Sequence, residues 1–193
     1  DMLNLEHPLI MAPMFLVSNT AMVIEGMRCG VAGCIPALNY RTLEELRAAC
    51  RELKAAKAEC SKGAYGFNLI VNKSNPKAQS QLEALCEEGC DFIITSLGSP
   101  ETTIEHAHRV GIKVFCDVTN LRFAQKVESL GGDALIAVNN EAGGHRGLFL
   151  SEDLSTQVGT FALVPQIVRA VKVPVIAAGG IAVAVAAVGF NLM

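Results

Sequence analysis

Short runs of consecutive apolar residues recur along the chain, separated by longer stretches in which apolar and polar residues mix. Continuous apolar runs, rather than strict alternation, are typical of strands that are covered on both faces, as in parallel sheets. The pattern therefore predicts seven buried strands, at residues 9–14, 31–36, 67–71, 92–95, 114–116, 134–138 and 173–178.

The stretches between these runs carry signals for the starts and ends of helices. Thr42 and Glu45 form a capping-box pattern, after which apolar residues follow at helical spacing. Two further starts are predicted where a capping side chain precedes a proline, at Asn75-Pro76 and Ser99-Pro100. Helix ends are predicted at Gly89, Gly111 and Gly131. Strands and helices thus alternate as repeated β-α units.

Two α/β architectures satisfy this alternation, an open doubly wound sheet and a TIM-type (β/α)8 barrel. The first strand runs into Ala12-Pro13-Met14-Phe15 rather than a GxGxxG turn, and the glycine clusters come late, after strands six and seven. These features favour the barrel. A complete barrel usually needs about 250 residues, so the 193 residues with seven visible strands predict one barrel domain over 1–193 that is incomplete at its C-terminus.

Composition excludes several classes of protein. Apolar residues make up 51% of the chain, which supports a large core, and 16 basic against 19 acidic residues give a net charge of −3. That charge offers no electrostatic footprint for nucleic acid. Seven scattered cysteines, an odd number, predict reduced thiols that pack as small buried hydrophobes in a cytoplasmic protein, with no metal site.

The uncharged run 173–193 is long enough to span a bilayer. It contains Pro174 and the Gly179-Gly180 pair, and it opens with β-branched residues. A buried strand followed by a buried helix explains it better than a membrane span, so no membrane association is expected.

The segment after the sixth strand carries the sharpest chemical signal. Three glycines and His145 fall within residues 143–147. In a barrel this position lies at the C-terminal face, where active sites are found. Glycines let the backbone approach a flat ligand, and a histidine can act near neutral pH as a base or hydrogen-bond donor. An ordinary glycine-rich loop with a solvent-facing histidine is the alternative.

A second glycine cluster, Gly179-Gly180, joins the seventh strand to the next helix. Free backbone N–H groups at such a position favour a phosphate, and the loops after strands seven and eight of barrels often form a phosphate site. A tight turn that needs glycine for steric reasons alone is the alternative. In the third strand, the Asn68 amide could bond the edge of a heterocycle as donor or acceptor, or act as a capping or turn residue.

Four segments together resemble the nitronate monooxygenase family, formerly called 2-nitropropane dioxygenase, which includes the FMN-dependent enoyl-acyl-carrier-protein reductases. The likeness runs in consistent order from about residue 5 to residue 181. The segments are EHPLIMAPM (6–14), GFN (66–68), DALIA (133–137) running into EAGGHRG (141–147), and VPVIAAGGI (173–181).

The resemblance implies an FMN-containing barrel that oxidises alkyl nitronates with molecular oxygen. His145 would be the catalytic residue, as a base or substrate-orienting group. The isoalloxazine ring would lie against the residues at the end of the first strand and Asn68, while the two glycine loops would hold the rest of the cofactor. The implied FMN-binding residues are Ala12, Pro13, Met14, Asn68, Ala142, Gly143, Gly144, Ala178, Gly179 and Gly180.

The chain also departs from the family pattern. After Gly180-Ile181 the family usually continues with an acidic-glycine turn, a helix, an eighth strand and a C-terminal region that helps to cover the substrate, and these are missing here. Asp117, at the end of strand five, has no assigned role. Two alternatives therefore stay open: an enoyl-thioester reductase that uses FMN and a nicotinamide, and a non-catalytic truncated barrel that folds as a homo-oligomer.

Overall fold

The computed structural model describes residues 2–143 and 158–181, and the chain divides into two compact units, Asp1–Phe115 and Cys116–Met193. Strands and helices alternate throughout the described residues. The strands are β1 (Ile10–Met11), β2 (Ala32–Pro36), β3 (Ala64–Ile70), β4 (Phe92–Ser96), β5 (Lys113–Val118), β6 (Ala134–Val138) and β7 (Val175–Ala178). The helices are α1 (Thr20–Arg28), α2 (Leu43–Ala58), α3 (Ala78–Glu88), α4 (Glu101–Arg109), α5 (Leu121–Ser129) and α6 (Thr160–Ala170), with a short 3₁₀ helix at Ala37–Asn39.

In the first unit, strands β1 to β4 lie side by side in chain order, and each neighbouring pair is parallel. A doubly wound sheet would reverse its strand order part-way along the chain, and these four strands show no reversal. Parallel β-α units in unbroken chain order are the arrangement of the (β/α)-barrel class. The predicted fold class is confirmed.

Gly66 lets strands β3 and β4 approach closely. A Cβ atom at this position would lie 2.5 Å from the carbonyl oxygen of Phe92 and 2.5 Å from its ring. The Phe92 ring in turn stacks on Phe115 with their centroids 5.1 Å apart, and both side chains are buried. Because side chains two residues apart share a face of a strand, Asn68 lies on the same face as this contact.

In the second unit, β6 and β7 pair in parallel, with the register running from Leu135 opposite Val175 to Val138 opposite Ala178. The turn before β7 is held by Glu128 of α5, whose Oε1 accepts hydrogen bonds from two successive backbone N–H groups. Since the paired strands end at the same level, the loops that follow them begin side by side. This register positions the two glycine-containing loops.

Several helix ends lie where the sequence predicts them. At the start of α2, Thr42 Oγ1 accepts from the N–H of Glu45 at 3.2 Å, and the Glu45 carboxylate accepts from the N–H of Thr42 at 3.0 Å. This reciprocal pair confirms the capping box. Helices α3, α4 and α5 end beside glycines with positive φ, which are Gly89, Gly111 and Gly131.

Two predicted helix starts are wrong by one or two residues. Helix α3 begins at Ala78. The side-chain oxygen of Asn75, Oδ1, accepts from the N–H of Lys77 and forms a turn before the helix. Helix α4 begins at Glu101, so Pro100 is the capping residue itself, and no side chain caps the helix there. A short polar side chain that bonds two residues ahead favours a turn over a helix start.

All seven cysteines are free thiols, but they do not all pack as buried hydrophobes as predicted. Cys34, Cys50 and Cys116 are buried, whereas Cys29 at the end of α1 is exposed and the remaining three lie between these extremes. Within the described ranges, no helix is both long and apolar enough to cross a membrane, and no cluster of side chains has the make-up of a metal site.

Cysteine burial predicts an order of thiol reactivity. A short pulse of iodoacetamide on the native protein is expected to alkylate Cys29 first, since the thiolate is the reactive form and needs access to the reagent. Cys50 is 1% exposed and burial raises its pKa to about 12, so it should react after unfolding. Peptide mass spectrometry measures each site, with Cys29→Ser as the control. Labelling of Cys34 or Cys50 as fast as that of Cys29 would contradict the described packing.

Candidate functional site

Asn68 presents a fixed acceptor within the first unit. The side chain is 6% exposed, and its Nδ2 donates to the Ile94 carbonyl oxygen at 3.2 Å and to Ser96 Oγ at 2.7 Å. These bonds use both amide hydrogens, and within the described residues Oδ1 accepts none. Asn68 lies inside β3, so it is not a capping or turn residue. Its chemistry toward a ligand is that of an acceptor for an N–H group.

The residues after β1 form a turn rather than more strand. Residues 9–14 were predicted to be extended, but the paired strand ends at Met11. Ser18 explains the difference: its hydroxyl accepts from the Met14 N–H at 2.9 Å and donates to the Ala12 carbonyl oxygen at 3.3 Å. The predicted cofactor residues Ala12 and Met14 are exposed and Pro13 is half-buried, so their surface is accessible to a ligand.

Asn139 connects the ends of the two strands in the second unit. It follows β6 directly and is 5% exposed. Its Nδ2 donates to the Ala178 carbonyl oxygen at 2.5 Å, to Thr160 Oγ1, and more weakly to the Gly179 carbonyl oxygen at 3.3 Å. Its Oδ1 accepts from the Glu141 N–H at 2.6 Å. One amide therefore fixes the loop after β6, the loop after β7 and the first residue of α6.

The Glu141 carboxylate lies at the N-terminus of α6. Its Oε2 accepts from the Thr160 hydroxyl at 2.5 Å and from the Thr160 N–H at 3.4 Å. Gly159, the residue before the helix, has no side chain to serve as a cap. The start of a helix attracts anions, and here the protein's own carboxylate already occupies that position.

The glycines after β7 have a steric reason of their own. Gly179 and Gly180 both have positive φ, at 93° and 67°. A Cβ atom at Gly179 would lie 2.8 Å from Asn139 Oδ1, and one at Gly180 would lie 2.9 Å from the Cβ of Glu141. The two loops pack so closely that a side chain at either glycine would collide with the loop after β6. Glycine is required there with or without a phosphate.

The loop after β6 is partly described. Ala142 is buried and its N–H donates to the Asn139 carbonyl oxygen at 3.3 Å. Gly143 has open space where a Cβ would lie. Beside them, Asn140 Oδ1 is buried and has no hydrogen-bond donor among the described residues. Gly144 and the predicted catalytic residue His145 lie outside the described residues.

The arrangement offers fixed acceptors and open glycine backbone, features suited to a flat, polar cofactor. Asn68 Oδ1 is an oriented acceptor within the first unit, and Gly143 leaves space for a planar group within the second. These observations fit the predicted cofactor residues in each unit taken by itself. Asp117 lies half-buried in β5.

Sequence reasoning missed four residues that shape these loops: Ser18, Asn139, Glu141 and Thr160. Asn139 and Glu141 stand at the start of the segment after strand six, next to glycines and a histidine that carry the stronger chemical signal. An asparagine directly after a buried strand is a signal that could have identified Asn139, because such a buried amide needs several partners. Thr160 had no local sequence signal, since its hydrogen bond from Asn139 joins residues 21 positions apart in the chain.

The family model for nitronate monooxygenase matches residues 54–188, which is more than half of the chain. The chain belongs to the nitronate monooxygenase family. The family match includes both loops at the ends of β6 and β7, and with them the residues that Asn139 connects.

Relatives and solved structures agree with this family. A probable nitronate monooxygenase of Staphylococcus aureus (strain JH9) is 32% identical over 94% of this chain and 59% of its own length. FabK from Thermotoga maritima superposes with a TM-score of 0.83 at 31% identity, over 99% of this chain and 57% of its own. A nitroalkane oxidase from Streptomyces ansochromogenes, at 24% identity and a TM-score of 0.81, covers 92% of this chain and 60% of its own and supports the fold. The chain spans less than two thirds of the length of each.

Close packing of the two loops predicts contrasting effects for two glycine substitutions. Gly179→Ala should destabilise the protein by about 1–3 kcal/mol, since the added methyl group would collide with the Asn139 amide at positive φ. Gly159→Ala is the matched control, because its φ is −73° and its nearest neighbour would lie 3.5 Å away. Urea unfolding measures both. Equal loss of stability in the two variants would contradict the packing.

Proposed function

We propose that this chain provides the flavin-binding barrel of an oxidoreductase that uses FMN to oxidise alkyl nitronates with molecular oxygen. Membership of the nitronate monooxygenase family supports the reaction class. The observation that carries the proposal is the contact between the loops after β6 and β7, made through Asn139 and Glu141. It joins the family's histidine loop to its proposed phosphate loop within one unit.

In this proposal the residues predicted from the sequence would hold FMN. Asn68 Oδ1 would accept from an N–H of the flavin ring, and the segment Ala12, Pro13 and Met14 would supply surface for the ring. Ala142, Gly143 and Gly144 would contact the cofactor, and Ala178, Gly179 and Gly180 would provide backbone for its phosphate. When bound, FMN supplies the exchange of electrons between substrate and oxygen.

His145 is proposed to hold the nitronate, or to remove the α-proton of a neutral nitroalkane and so generate the nitronate. A neutral imidazole nitrogen can accept a proton near pH 7, and a pocket that excludes water favours the neutral form. In the sequence His145 follows Gly143 by two residues, within the glycine-rich segment 143–147. The reaction then needs this side chain beside the substrate carbon.

The first test is retention of FMN. After incubation with FMN and desalting, the protein is expected to keep a visible flavin band whose shape differs from that of free FMN. Nitronate-dependent oxygen uptake by this holoprotein would support the proposed reaction. Bleaching of the flavin by a nicotinamide, followed by reduction of an enoyl-thioester, would replace it with the reductase alternative. A colourless protein would show that the described loops do not hold FMN in this chain.

His145→Ala tests the catalytic assignment. We expect flavin reduction by a neutral nitroalkane, whose α-carbon still carries a proton, to slow by about 10²–10⁴-fold, the usual contribution of a general base, while FMN stays bound. His106→Ala is the control, because His106 is a half-buried residue of α4 whose ring Nδ1 bonds the Thr102 carbonyl oxygen within the same helix. Stopped-flow absorbance of the flavin measures both rates. An unchanged rate in His145→Ala would remove its catalytic role.

A further inference from the structure

The loop after β7 owes its backbone orientation to a side chain from the neighbouring strand. Asn139 Nδ2 donates to the Ala178 carbonyl oxygen at 2.5 Å and to that of Gly179 at 3.3 Å. In a trans peptide the C=O and the following N–H point in opposite directions. With both carbonyl groups turned toward Asn139, the N–H groups of Gly179 and Gly180 are turned away from it.

Those two N–H groups are the donors that a phosphate would need. Backbone N–H groups that face outward from a strand–helix turn bind anions well. The nearby N-terminus of α6 does not compete for the anion, because the Glu141 carboxylate occupies it through Thr160. We propose that Asn139 is a positioning residue that holds the loop after β7 in its phosphate-binding conformation. This inference rests on the proposed function, in which FMN is the ligand.

The role requires the amide and not merely a polar side chain of that size. Asn139 donates to carbonyl oxygens on one side and accepts from the Glu141 N–H at 2.6 Å on the other. Aspartate has the same shape and keeps the acceptor, but it has no N–H and places a negative charge against two carbonyl oxygens. Asn139→Asp should therefore release the carbonyl groups of Ala178 and Gly179 while changing little of the packing volume.

Comparison of FMN with riboflavin isolates the phosphate. The two ligands share the ring system and differ in the phosphate group. The dissociation constant of riboflavin divided by that of FMN, called here the riboflavin-to-FMN ratio, therefore reports on the phosphate site alone. We expect the wild-type chain to bind FMN at least tenfold more tightly than riboflavin. Asn139→Asp is expected to lower that ratio at least fivefold. Quenching of flavin fluorescence on titration with protein measures each dissociation constant.

Asn75→Asp is the matched control for a merely structural effect. Asn75 is also a buried amide, 8% exposed, and it donates to the Ile70 carbonyl oxygen and to Gln81 Oε1, each at 3.0 Å. Among the described residues, the hydrogen bonds of its side chain all lie within residues 70–81, so its substitution should weaken the protein in a similar way while the Asn139 hydrogen bonds are kept. A general loss of stability lowers the affinity for both flavins and leaves their ratio unchanged.

Thr160 supplies a second test in case Asn139→Asp does not fold. Its hydroxyl accepts from Asn139 and donates to Glu141, which holds both in place. Thr160→Val removes the hydroxyl at constant shape and should lower the riboflavin-to-FMN ratio at least threefold, whereas Thr160→Ser should retain it.

The outcomes separate the two proposals. A lowered ratio in Asn139→Asp and Thr160→Val, with the ratio retained in Asn75→Asp and Thr160→Ser, supports the positioning role. A wild-type preference for FMN that persists in Asn139→Asp or in Thr160→Val overturns the role and leaves the proposed FMN site intact. Equal binding of FMN and riboflavin by the wild-type chain overturns the phosphate site and the positioning role together.

Discussion

Burial of the strands on both faces is the constraint on which the rest of this structure depends. Every residue of β2 is buried, and β3, β4 and β6 each have a single position that is not. Polar side chains can therefore be accommodated at the ends of the strands. Elsewhere they must be amides or similar groups whose hydrogen bonds are made inside the protein. Asn68 and Asn139 are two such amides, one in each unit, and each donates to a carbonyl oxygen of the neighbouring strand.

The same constraint explains what could be predicted from the sequence. Strands that are buried on both faces require runs of consecutive apolar residues. These runs are visible in the sequence, so the approximate positions of the strands and the barrel class could be identified without a structure. The Thr42–Glu45 capping box is equally local and was also predictable. The start of α3 was not, because Asn75 Oδ1 accepts from the Lys77 N–H two residues ahead and forms a turn in competition with the helical cap. The start of α4 also differs, since Pro100 is itself the capping residue.

The candidate site was less predictable than the fold, for a physical reason. Glycine is required at 179 and 180 by close packing, and glycine would also suit the proposed phosphate site. The residue type alone therefore cannot distinguish a steric role from a binding role. The hydrogen bonds that fix the loop after β7 and the start of α6 join residues 19 to 40 positions apart in the chain. No local pattern encodes such pairs; the parallel register of β6 and β7 brings them together.

The way in which α6 begins has a consequence for the order of folding. The helix has no side-chain cap of its own at Gly159 and contains Pro165 in its interior, so its intrinsic tendency to form is low. Its first turn is instead capped by Glu141, 19 residues earlier in the chain. Such a cap is available once Glu141 lies beside Thr160, and before then α6 depends on its low intrinsic tendency to form. We therefore expect α6 to form late, so that its appearance during folding would report that Glu141 has reached its native position.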